Sequence, residues 1–164
     1  MPKISMYARN GKPVTTARPR LRPIFDEANS LYFDGSLPDE IELEWNTRFR
    51  VCAGRCKWFW RYRSMTDSEK AIRPSWLHNR LIKYPKNMKI ELSVETFKNC
   101  NYNLKEVQET MIHEMVHAWQ AYDGMNGNHG WQFQAKMASI MQDGRSDYTY
   151  HHIDLTGLRN RSQW

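Results

Sequence analysis

The sequence predicts an α+β fold, a small and mostly antiparallel sheet packed on helices around one central helix. Two features carry this. IELEW (41–45) and MKIELS (88–93) alternate apolar and polar residues as half-buried strands do, and RVCAGRCKWFWRYR (50–63) supplies a third strand region. Residues 104–122 hold the longest helical pattern, rich in apolar side chains such as Val107, Met111, Ile112, Val116 and Trp119. A chain of 164 residues, 40% apolar and 26% charged, is enough for one domain with a real core.

Residues 1–20 contain Pro2, Gly11, Pro13 and Pro19 with little apolar content. They read as a basic, poorly ordered arm ahead of a domain at 21–144. From Pro23, PIFDEANSLYFDG reads as a helix. Pro23 suits its first turn, Ile24, Ala28, Leu31 and Tyr32 share a face, and Gly35 suits the exit. In the 50–63 strand, Gly54 suggests a bulge or bend. Parity puts Cys52, Cys56, Trp58, Trp60 and Tyr62 on one face, and Arg55, Lys57, Arg61 and Arg63 on the other. Residues 64–86, with Pro74 and Pro85, read as an irregular basic insertion that includes His78. The 104–122 helix has Asn103 to cap its start and Gly124 beyond its end. Gly127 and Gly130 bracket a loop. WQFQAKMASIMQDG (131–144) reads as a last helix stopped by Gly144, with Trp131 and Phe133 packing it on the central helix. A polar tail follows at 145–164, with His151 and His152 exposed in it.

The net charge of +6 is unevenly laid out. Residues 1–25 hold six basic side chains and no acidic one, and 26–47 hold seven acidic and no basic. Residues 48–89 hold twelve basic and two acidic, an excess of ten. That excess suits a polyanionic partner, of which nucleic acid is the usual one. Arg55, Lys57, Arg61 and Arg63 are the candidate nucleic-acid-binding face, with plain solvation as the competing reading. No apolar run approaches membrane-spanning length, and the N-terminus has no apolar signal core. Three cysteines make no disulfide framework, so an intracellular setting is expected, cytoplasmic or nuclear. Cys52 and Cys56 read as buried small residues, since Cys100 is the only cysteine left to complete a metal site. Trp58, Trp60 and Tyr62 are expected chiefly in the core, the alternative being stacking on single-stranded bases.

The stretch from His113 to Phe133 reads HEMVHAWQAYDGMNGNHGWQF. Four helical residues turn about 400°, so His113 and His117 project from one face, one turn apart. That spacing lets two imidazoles share one zinc ion. Glu114 lies about 100° round the helix, too far for an ideal ligand but near enough to reach a water on the metal. This is the HExxH pattern of zinc peptidases, in which the glutamate is the general base. Two histidines and a glutamate within an apolar helix need a reason to be there. The third ligand is expected to be His129, which follows the glycine-rich turn MNGNHG. Asp123 lies six residues after His117, but Gln120 stands where a helix-breaking glycine would be needed, and a continuing helix carries Asp123 away from the zinc face. Three neutral histidines leave a fourth position for water.

These residues resemble the SprT-like family of zinc peptidase domains, which includes bacterial SprT and eukaryotic Spartan. The match runs in order over roughly 21–142: NSLYFDGSLPD with its aromatic-Gly step, CAGRC after a strand, the strand IELS, then HEMVHA and the later His129-Gly130 with Phe133 three beyond the glycine. The resemblance implies a zincin-like core, one Zn2+ ion held by His113, His117 and His129, and Glu114 as catalytic base. It implies a zinc endopeptidase acting on protein bound or crosslinked to DNA, single-stranded DNA being the favoured partner and no membrane being involved. Many members carry a cysteine-rich zinc ribbon after this domain, and residues 101–164 here contain no cysteine. Two alternatives stay open: a catalytically weak zinc domain serving as a DNA-binding adaptor, and a peptidase indifferent to DNA.

Overall fold

The computed structural model describes residues 18–142. Residues 1–17 of the arm, Gly144, the tail and its His151–His152 pair lie outside the described residues. The elements run α1 (Leu21–Tyr32), β1 (Glu42–Asn46), β2 (Gly54–Arg63), α2 (Asp67–Ala71), a 3-10 turn (Ser75–Leu77), β3 (Ile82–Ser93), α3 (Val94–Lys98), α4 (Leu104–Tyr122) and α5 (Trp131–Gln142). The architecture is α+β. The three strands lie in the order β1-β3-β2. The longer pairing, β2 on β3, is antiparallel, whereas β1 joins β3 in parallel, so the sheet is mixed.

α1 begins two residues before Pro23, which stays within the first turn where its missing N–H costs nothing. Its buried face is Leu21, Ile24, Phe25, Ala28 and Asn29. Leu31 and Tyr32, expected on that face, are only partly covered. The exit turns through Asp34 and Gly35, both at positive φ. Asn29 then fixes the next segment. Its side chain donates to the Leu37 carbonyl at 2.9 Å and accepts from the Leu37 N–H at 3.1 Å.

β3 starts at Ile82, inside the stretch expected to be irregular. Pro85 argued against a strand there. It is tolerated because β1 pairs only with Lys89–Ser93, which leaves that edge of β3 open at Pro85. The rest of the expected insertion holds α2, whose start carries a capping box between Thr66 and Glu69, and the 3-10 turn. His78 Nε2–H donates to the Arg73 carbonyl at 2.9 Å. Of the bulge or bend expected at Gly54, the bend is at Ala53, just before Gly54 opens β2, and the bulge lies in β3. Trp58 faces two residues, Asn87 and Met88, where the register slips between Lys57 and Phe59, and Asn87 has φ +55.

α4 is the hub. Asn103 caps it by accepting from the Glu106 N–H, and the chain leaves through Gly124 at φ +74 with Met125 N–H bonded to the Gln120 carbonyl at 2.8 Å. It packs on β3 and β2 on one side and on α1 and α5 on others. Ile90 and Leu92 of β3, Met111 and Met115 of α4 and Phe133 and Met137 of α5 are all buried in the shared core. Trp58 and Trp60 are partly buried against it, as parity suggests, but Tyr62, one residue from the end of β2, is 58% exposed.

Replacing Asn29 by alanine is expected to lower the free energy of unfolding by about 1–3 kcal/mol, since it strands the buried Leu37 N–H and carbonyl. Urea denaturation with an unchanged slope is the check.

Candidate metal centre

α4 carries His113, Glu114 and His117 in its buried middle. The loop after it returns His129 to the same place. His129 Nε2 lies 3.1 Å from His113 Nε2 and 3.0 Å from His117 Nε2. A ring nitrogen has one in-plane site, so at most one of these two contacts can be a hydrogen bond. A cation between them satisfies all three lone pairs together, and the spacing is close to the roughly 3.3 Å edge of a tetrahedron with ~2.0–2.1 Å arms. The three ligand atoms lie within 4.8 Å of one another and could hold a metal ion.

Burial keeps these rings neutral. It drives the pKa of His113 well down, that of His117 to about 4 and that of His129 below its ordinary value. The nearby His117 and His129 rings add to the effect on His113. At neutral pH each ring therefore has a lone pair available to a cation.

Phe133 of α5 closes the cluster. Its ring centroid lies 4.8 Å from each of the three imidazoles and stacks on His117. Trp131, expected to pack beside it, is 76% exposed instead: two residues away at the start of α5, it points outward. The loop before His129 rests on β2, where a Cβ at Gly127 would come 2.6 Å from Trp58 Cη2. Asp123 is the exposed C-cap of α4 and is not among the clustered ligand atoms.

Glu114 is fully buried, and neither carboxylate oxygen has a hydrogen bond of good geometry. Burial pushes its pKa up to about 8, against smaller downward pulls from the Cys56 backbone and the Arg55 charge. An uncompensated carboxylate is costly in such a place unless a cation or its water lies alongside. The same residue explains Gly54. A Cβ there would come 3.0 Å from both Glu114 Oε1 and Thr110 Cγ2. The glycine is needed for close approach of β2 to the glutamate, not for a bulge. Cys52 is buried and Cys56 partly so, and burial raises both thiols, with the Glu114 charge adding to each. Neither cysteine belongs to the ligand cluster.

Gln120 escaped sequence reasoning except as the place of a missing glycine. Its Nε2 donates to the Asn128 carbonyl at 3.0 Å, which fixes the amide so that Oε1 accepts from His117 Nδ1–H at 2.9 Å. That bond sets the His117 tautomer, leaving Nε2 bare, and ties α4 to the loop bearing His129. A buried glutamine three residues after a histidine on a helix was the available signal.

The candidate basic face is only partly free. Arg55 donates to Glu91 through Nε and Nη2 at 3.2 and 2.9 Å, and Lys57 lies 3.6 Å from the same carboxylate. Arg63 forms a two-pronged pair with Glu69 at 2.8 and 2.6 Å. Among the described residues, Arg61 alone of the four has no carboxylate partner.

A mixed α+β core with a central helix and three converging histidines defines a class. The SprT-like family model matches residues 21–152, and the chain belongs to that family. It is similar to the DNA-dependent metalloprotease dvc-1 of Caenorhabditis elegans, 28% identical over 137 residues that make up 82% of this chain. The match spans 31% of that relative's length. No helix among the described residues is long and apolar enough to cross a membrane.

Two outcomes follow. Gly54→Ala forces Glu114 or Thr110 aside and is expected to cost about 1–3 kcal/mol of stability, read by thermal unfolding. Gln120→Leu is expected to weaken metal binding about 10–100-fold in chelator competition while leaving the helical circular dichroism unchanged.

Proposed function

We propose that the protein is a zinc-dependent endopeptidase that cuts proteins bound or crosslinked to DNA. The observation that carries this is the buried Glu114 one residue from His113, beside three converging ring nitrogens. His113, His117 and His129 would hold the ion, and three neutral imidazoles suit zinc. Zinc bound there supplies Lewis acidity that brings the pKa of water to about 7 and polarises a carbonyl oxygen.

The chain's own part is proton handling and exclusion of water. Glu114 takes the proton of the attacking water and passes it to the leaving amine nitrogen as the peptide bond breaks. Its dry site raises its basicity, and a cation held by the three histidines would favour its ionised form. Gly54 gives it room. Phe133 and the Gly127–Trp58 contact wall the site, so the reacting carbonyl meets fixed groups instead of bulk water.

The part played by DNA rests on two supports. The twelve basic residues against two acidic ones at 48–89 give the polyanion attraction, and the relative is named for dependence on DNA. The working unit in this reading is 21–144, flanked by the basic arm 1–20 and the polar tail 145–164.

The test is a gel time course of histone cleavage, with and without single-stranded DNA, beside Glu114→Gln. The wild type should cut only with DNA present. Glu114→Gln should lose about 10²–10⁴ in rate while keeping one metal ion per chain. Chelation should abolish cleavage and added zinc restore it. Cleavage by Glu114→Gln at the wild-type rate would remove the base from its role, and cutting indifferent to DNA would remove the DNA dependence alone.

A further inference from the structure

The sheet and the ribbon that grows from it differ in charge. Beside β1, the outer face is a closed lattice. Glu91 is only 3% exposed and meets Arg55, Lys57, Lys89 and Asn46, while Lys89 also pairs with Glu42 and Glu44 of β1. Three cations there meet three carboxylates. Burial would raise the Glu91 pKa, yet hydrogen bonds from Arg55 and Asn46 and the Arg55 and Lys57 charges leave it below its ordinary value. These cations are already spent on protein carboxylates.

Past the bulge the situation changes. β1 is no longer paired, and β2 and β3 continue as a two-stranded ribbon with no acidic residue in 58–63 or 82–87. The register sets Phe59 opposite Lys86 and Arg61 opposite Tyr84. Opposed residues share a face, and Phe59 and Arg61 are two apart on one strand, so these four side chains form one outward patch. Phe59 is 61% exposed, Arg61 and Lys86 are exposed, and Tyr84 is half-buried. Two rings alternate with two cations that, among the described residues, have no carboxylate partner. On the other face, Trp60 and Lys83 are already engaged, with Lys83 Nζ 3.9 Å from the Trp60 ring.

We propose that the Phe59–Arg61–Tyr84–Lys86 face binds unpaired nucleic acid, with bases stacking on the two rings and phosphates on the two cations. The geometry favours single strands because an exposed ring can stack only on a base whose face is free, while the cations track a backbone of either kind. A protein partner fits less well, since nothing on the patch selects more than charge and an aromatic surface. The proposal rests on the reading of the protein as one that works on nucleic-acid-bound protein, but binding alone tests it, independently of cleavage.

The experiment is fluorescence anisotropy of labelled oligodeoxythymidine and oligouridine with the full 164-residue chain, over a range of salt. Phe59→Ala should weaken binding roughly tenfold, and Phe59→Tyr should restore it. Arg61→Ala and Lys86→Ala should each flatten the salt dependence by about one ion. Lys57→Ala, whose charge is held by Glu91, should change the salt slope less than Arg61→Ala. Thermal melts of Phe59→Ala and Arg61→Ala should match the wild type because both side chains are exposed. Preference for deoxythymidine over uridine names DNA as the partner, and the reverse names RNA, and either supports the patch. Wild-type affinity in both Phe59→Ala and Arg61→Ala overturns it. So does equal binding of a duplex that is insensitive to Phe59→Ala. Glu114→Gln should bind like the wild type, so loss of the peptidase reading and loss of this patch give separate signatures.

Discussion

Burying two imidazoles and a carboxylate in the middle of an apolar helix is the constraint on which the rest of this structure depends. Each group carries a desolvation cost that only a partner can offset. For His117 the partner on one side is Gln120. For the three Nε2 atoms together, hydrogen bonding cannot serve all the contacts, and the geometry leaves a cation as the group that fits. The neighbouring elements are shaped by that requirement. The post-helix loop bends back at Gly124 to deliver His129, α5 brings Phe133 over the rings, and β2 comes close to Glu114 only because Gly54 has no side chain.

The sheet answers to a second constraint. Its inner side is packed on α4, so its charged residues must share the outer side. Where β1 is present they neutralise one another around Glu91. Where β1 ends, the charges are not balanced. The bulge at Asn87–Met88 marks the change, and it adds twist where the ribbon leaves the packed sheet. One sheet thus carries two kinds of surface, which the local charge excess of the sequence does not separate.

Much of this was legible in the residues. The four-residue spacing of His113 and His117 is a statement about helical geometry, and the glycine-rich turn before His129 lets the chain return to them. The reach of α4 followed from its caps, and α1 from its apolar spacing. Other features needed the third dimension. Gly54 looked like a bulge because a close approach by a distant glutamate leaves no local trace. Gln120 looked like the absence of a glycine, whereas its amide bridges two segments. The parallel pairing of β1 depends on which strand takes the centre, and alternation alone does not say. Pro85 seemed to forbid a strand because the open edge beside it was not visible. Three of the four basic residues on β2 are held by carboxylates, one of them from β3 and one from α2, partners that strand parity cannot name.

The central claim is that three histidines, and no cysteine, hold one zinc ion next to Glu114. Zinc K-edge X-ray absorption on the zinc-loaded protein tests it most directly. The account predicts three imidazole nitrogens at about 2.0–2.1 Å with a light oxygen scatterer completing the shell. A sulfur scatterer at about 2.3 Å would put Cys52 or Cys56 in the shell and contradict the account, as would failure of the protein to retain zinc in stoichiometric amount.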